Sequence, residues 1–234
     1  MSAATCGMLL VAAVSQAAEI QTPRLQVEQT EEAIFPPSLL AQGITNGEAW
    51  LVISIGADGK LTDALVSRYT ERAFANEAMR AIRQWQFEPV RVHGRPVDVC
   101  LEVRFSFAAT GCIVSLDPFT TMQKFTAIAN QPNYQKHICQ ADELDRLPVP
   151  TRKVSPLHPG LTPNAKVTGG KVVLEFIVDE TGHVRMPVLV SANDVEFGNR
   201  ATEALTQWEF TTPTRRGKPV AVWVRQEFVF PTDS

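Results

Sequence analysis

Apolar positions fall on one helical face twice along this chain. Phe74, Ala78, Ala81, Ile82 and Trp85 recur at helical spacing, and so do Phe197, Ala201, Ala204, Leu205 and Trp208. The spacing predicts an amphipathic helix over about 72 to 84 and a second one in the other half of the chain. A helix of that length does not hold itself together in water, so each stripe requires an apolar surface to lie on. The flanking pattern supplies one. β-prone runs that begin at Gly47 and Gly170 end in turn signals at Asp58-Gly59 and Thr181-Gly182. Downstream, Gly94, Pro96 and Val97 match Gly217, Pro219 and Val220, and lead into runs that close on Phe105 and Phe107 or on Phe228 and Phe230.

The sequence is therefore written twice. The copies align without a gap from Gly47 and Gly170 to Phe107 and Phe230, with about a quarter of the positions identical. Each unit reads as a helical turn, a strand over about 47 to 56, a strand over 61 to 68, the helix, and a last strand over 97 to 107. That is an α+β fold: a small antiparallel three-stranded sheet packed on one main helix. Trp85, Phe87, Trp208 and Phe210 read as core. The expected organisation is a signal peptide at 1–18, a flexible lead at 19–34, a first domain at 35–108, a partly helical spacer at 109–157, and a second domain at 158–234.

The first eighteen residues hold an apolar run too short to span a bilayer, with small residues at Ser15 and Ala17 where a signal peptidase would cut. Export followed by cleavage leaves Cys100, Cys112 and Cys139, so one disulfide is expected. Cys112 with Cys139 is favoured, because both lie in the connecting segment; Cys100 with Cys112 is the alternative. In the spacer, Asp117-Pro118 reads as a helix cap followed by Phe119, Met122, Phe125 and Ile128, and a second helical piece is expected over about 134 to 144.

Charge narrows the partners. The net charge is -3 with acids and bases interspersed, which gives no footprint for nucleic acid or for a polybasic membrane contact. No catalytic constellation is visible. His93, His137, His158 and His183 fall in turns or the spacer, with no nucleophile elbow and no phosphate-binding glycine loop. His137, Cys139 and Cys112 lack the paired spacing of a zinc site. The chain is read as a non-enzyme with no cofactor, no metal and no small-molecule substrate.

The full pattern runs from a proline before a helical turn, through a β run ending in Asp-Gly and a helix ending Gln-Trp-x-Phe, to Gly-x-Pro-Val before a strand ending Phe-x-Phe. It resembles the C-terminal domain of the TonB family, over 35 to 107 and again over 158 to 230. The copies depart from it at Ala75 and Gly198, where an acidic residue is usual, and at Thr212, where the first copy keeps Pro89. The resemblance implies a periplasmic module that binds the extended TonB box of outer-membrane TonB-dependent transporters, or another TonB-system protein, by adding the peptide to the edge of its last strand. The residues expected on those edges are Val97, Val99, Leu101 and Val103 in the first copy and Val220, Val222, Val224 and Gln226 in the second. No membrane anchor and no long proline-rich region is read, so a soluble binding module linked to transport is expected rather than an energy transducer. The competing expectation is an envelope scaffold, in which the edges are covered by the spacer, by each other or in a homodimer.

Overall fold

A computed structural model describes residues 25–92, 94–118, 134–158 and 169–231. The stretch read as a signal peptide and the helix expected over 119 to 128 lie outside the described residues. The first copy contains β1 (Val27–Gln29), α1 (Pro37–Leu40), β2 (Asn46–Ile55), β3 (Leu61–Tyr69), α2 (Arg72–Ile82), β4 (Gln86–Phe87), a short hairpin of β5 (Arg91–Val92) and β6 (Arg95–Pro96), and β7 (Val99–Ala108). The connecting segment holds β8 (Gly111–Pro118), β9 (Gln135–Lys136), β10 (Ile138–Cys139), a 3-10 turn at Ala141–Glu143, and β11 (Pro150–Arg152). The second copy contains β12 (Gly170–Val178), β13 (Val184–Ala192), α3 (Val195–Leu205), β14 (Glu209–Phe210), a hairpin of β15 (Thr214–Arg215) and β16 (Lys218–Pro219), and β17 (Ala221–Phe230).

Each copy is the α+β unit expected, with three long antiparallel strands and one main helix. In the first, α2 buries Phe74, Ala78, Ala81 and Ile82 against Leu51, Ile53, Val103 and Phe105. In the second, α3 buries Phe197, Ala201 and Leu205 against Leu174, Phe176, Val222 and Phe228. The repeated glycines follow from this packing. A Cβ on Gly47 would lie 2.1 Å from the Phe74 ring, and one on Gly170 would lie 2.5 Å from the Phe197 ring. Only a bare backbone lets the first aromatic of each helix settle on its strand.

The sheets are larger than the three strands expected. The first has five strands in the order β8-β7-β2-β3-β9, and the second has four in the order β10-β17-β12-β13. All added strands come from the connecting segment, and those at 135–139 stand where a second helical piece was expected. Gly111–Pro118 alternates Cys112, Val114 and Leu116, packed on the first core, with exposed Ile113 and Ser115, a period of two that makes a half-buried strand. Asp117-Pro118 are the last two residues of that strand. The region 134–144 forms two short strands and a 3-10 turn.

The lead before the first domain is also structured from Val27 onward. Val27 is paired with Phe87, and the Trp85 indole donates to the Glu31 carbonyl at 3.0 Å. The second copy repeats both features, with Pro150 opposite Phe210 and the Trp208 indole donating to Val154 at 2.8 Å. Each copy is thus tied to a short strand that opens some eight residues before position 35 or 158.

The sheet faces turned away from the helices meet. Val52, Ile138, Ile177, Met186, Ala221 and Trp223 form a third core, with Leu65 and Cys100 against it. Arg185 on β13 reaches across to Asp63 on β3, with Nε 2.9 Å from Oδ2, and also pairs with Asp179 at 3.2 Å. The two copies are therefore packed together, not strung on a spacer.

Candidate functional site

Successive residues of a strand direct their backbone groups to opposite sides, so one hydrogen bond fixes the phase of a whole strand. The Ala221 amide donates to the His137 carbonyl at 3.1 Å, on the β10 side of β17. Across the sheet, the Asn193 amide donates to the Lys171 carbonyl and the Asp179 amide to the His183 carbonyl, so odd-numbered residues of β12 look toward β13. Even-numbered residues of β12 then look toward β17 and meet its even-numbered residues. Both lines give the same result. Arg225, Glu227 and Val229 turn their amides and carbonyls outward, away from β12.

That outer side is open for most of its length. β10 covers β17 only at Ala221 and Val222. From Val224 to Phe230 no strand pairs there among the described residues, while the ladder to β12 continues without a break to Phe230. The opposite edge of the same sheet, β13, is a poorer template. It carries two register shifts, Pro187 without an amide hydrogen, and Met186 at φ 49°, the features with which edge strands resist pairing.

The last strand of the first copy has no such open side. β7 has β2 on one side and β8 on the other, from Leu101 to Ala108. Leu101 sits opposite Ile53 and Pro118, and Val103 opposite Leu51 and Leu116. Val99 starts the strand opposite Ile55, and Val97 precedes it, its amide bound to the Val90 carbonyl at 2.9 Å. In the second copy Val220 precedes β17, with its amide on the Pro213 carbonyl, and Val222 lies between Val178 and Cys139. Val224 and Gln226 are half-buried on the helix side and direct their backbones to β12. The strand singled out in the second copy carries the open edge, but the outward groups belong to its odd-numbered residues. The alternation was legible in the sequence; its phase needed the ladder.

Side chains around the edge are charged. Arg225 lies 3.5 Å from Glu175, and Glu227 pairs with Lys171 at 2.7 Å. The corresponding face of the first copy holds the same kind of pair with signs exchanged: Arg104 with Glu48. Beside it the buried Arg68 and Glu102 bond at 3.1 Å, and the Arg68 guanidinium lies 3.9 Å from the Trp50 ring centre. Burial pushes the Glu48 carboxyl up, but hydrogen bonds from Arg104, Tyr134 and Trp50 outweigh it and hold it below the ordinary range.

The expected Cys112–Cys139 bridge is not formed, and neither is the alternative, since Cys100, Cys112 and Cys139 are all free thiols. Cys112 packs on the first core, while Cys139 is buried beside Val222 of the second. Burial, with Asp63 nearby, pushes the Cys100 thiol up to about 12, and burial pushes Cys112 up to about 11. Thiols so shifted stay protonated at neutral pH and are poor nucleophiles. Among the described residues no group of three or more His, Cys, Asp and Glu side chains could hold a metal ion, and no helix is long and apolar enough to cross a membrane.

A search of curated proteins returns no match. A family model described as Gram-negative bacterial TonB protein C-terminal matches residues 32–108 and again residues 165–232, together more than half of the chain. The two matched segments coincide with the two sheet-and-helix units, and the chain belongs to the TonB C-terminal family as a tandem of two such domains.

Proposed function

We propose that this chain is an exported periplasmic module that binds extended TonB-box segments of outer-membrane transporters through the outer edge of β17. Family membership makes it a TonB-like protein-interaction module of a transport system. The observation that carries the finer reading is the unbroken, outward-facing backbone from Val224 to Phe230, beside a first copy whose equivalent edge is filled.

The energetics fit a transient partner. Three outward residues present six backbone groups, each hydrogen bond contributing about 0.5–1.5 kcal/mol net. Ordering the peptide backbone costs about 1–2 kcal/mol per residue. The balance leaves binding in the micromolar range or weaker unless side chains add to it. Such affinity suits a contact that is made and released during transport.

The first copy then has a different part to play. With β8 along its last strand, that strand has no open side among the described residues, and the copy braces the second one through the shared core. The scaffold reading thus applies to the first copy and the binding reading to the second. The test is calorimetric titration of the full chain with TonB-box peptides, in parallel with a Glu227→Pro variant. Binding lost in the variant supports the edge. Equal binding by both proteins, or self-association through β17 in place of peptide binding, would overturn it.

A further inference from the structure

The first copy displays an occupant for the same edge. Matched positions stand at a constant offset, Gly47 to Gly170 and Trp85 to Trp208, so β7 corresponds to β17 residue by residue. β8 runs antiparallel along β7 with Leu101 opposite Pro118, Glu102 opposite Asp117, Val103 opposite Leu116, Arg104 opposite Ser115, Phe105 opposite Val114 and Phe107 opposite Cys112. Carried to β17, these partners fall opposite Val224, Arg225, Gln226, Glu227, Phe228 and Phe230.

The second copy is shaped to receive such a strand. Leu101 and Val103 are 5% and 0% exposed beside β8, whereas their counterparts Val224 and Gln226 remain half-exposed. The pairing of β10 with β17 stops at Val222, so a segment lying along 224–231 takes no backbone hydrogen bonds from it. The two charged outward positions exchange sign between copies: Glu102 becomes Arg225, and Arg104 becomes Glu227. Arg225 is 58% exposed, so it is available to a cross-strand partner even while it neighbours Glu175.

We infer, building on the reading above, that the β17 edge selects an antiparallel segment patterned like β8. Small or branched apolar residues recur at alternate positions on the α3 side, a hydroxyl or basic residue lies opposite Glu227, and an acidic residue lies opposite Arg225. The apolar alternation follows from the half-covered shelf, and the polar choice from the two charges on the open face. An opposite charge across a strand pair favours binding and a like charge opposes it.

The test uses the isotope-labelled full chain and a synthetic peptide with the sequence of residues 111–118 carrying Cys112→Val, together with the same peptide carrying Asp117→Lys. The acidic peptide is expected to saturate the amides of 224–230, and the lysine form to bind about three- to tenfold more weakly. In an Arg225→Glu chain the preference should reverse. Equal binding of both peptides by both chains would overturn the inference, as would shifts confined to β7. If TonB-box peptides saturate the edge while the 111–118 peptide does not, the ligand pattern is wrong and the proposed function stands. If neither peptide binds, both fall.

Discussion

The Ala221 amide donates to the His137 carbonyl at 3.1 Å, and that bond sets which residues of β17 look away from their own sheet. The His137 amide in turn donates to Ser67 of the first sheet at 2.8 Å, so one residue of the connecting segment ties both copies. The phase it fixes leads to a proline test. Glu227→Pro removes an outward amide and leaves the ladder to β12 intact, so it should abolish peptide binding while costing little stability, its ion pair with Lys171 being exposed. Gln226→Pro removes an inward amide and should lower stability by about 1–3 kcal/mol. Denaturant midpoints and peptide titration of the two variants check this; equal destabilisation by both would contradict the assigned phase.

Trp223 fills the junction between the sheets at 1% exposure, among Val52, Ile138, Ile177 and Met186. Trp223→Ala should cost about 3–5 kcal/mol through the cavity it leaves. Because that cavity lies between the copies, the variant should also unfold in two steps. Urea unfolding followed separately by probes in each copy would report this, and a single unchanged transition would count against a shared core.

Arg68 and Glu102 are buried together on the same side of the first sheet. Glu102→Ala leaves a buried guanidinium facing an empty site and should destabilise by about 3–5 kcal/mol, whereas Arg68→Met combined with Glu102→Leu should cost much less. Chemical denaturation of the single and double variants makes the comparison, and a double variant no better than the single one would refute it.

Three carboxyls at the junction and the connecting segment, Glu48, Glu143 and Asp179, are pushed up by burial but held below their ordinary values by stronger hydrogen bonds and cationic neighbours. A folded-state pKa below the unfolded one contributes stability that is complete above the ordinary values of 4.5 and 3.8 and is lost as pH falls through the folded values. The urea midpoint should therefore hold down to about pH 5 and decline below it. Glu48→Gln should make the acid decline shallower, and an unchanged slope in that variant would remove Glu48 from the account.

Much of the fold was legible because the repeat multiplies its own signal. The helical stripes, the Asp-Gly and Thr-Gly turns and the aromatic cores recur at matched positions, and the structure forms α2 and α3 where the spacing puts them. The lead at 27–33 was not legible, since its tie to Trp85 runs through the Glu31 carbonyl, which any residue could supply. The connecting segment was misread for a different reason. The alternation of Cys112, Val114 and Leu116 is too short to announce a strand by itself, and it is pairing with the edge of β7 that makes 111–118 one. The same pairing filled the first copy's edge, a fact carried by sheet order rather than by any residue of β7.

The most direct measurement is an amide-resolved titration of the labelled full chain with a TonB-box peptide. The account predicts saturable shifts centred on Arg225, Glu227 and Val229, with Leu101 to Ala108 of β7 unmoved beneath β8. Shifts along β7, or none in either copy at millimolar peptide, would contradict it.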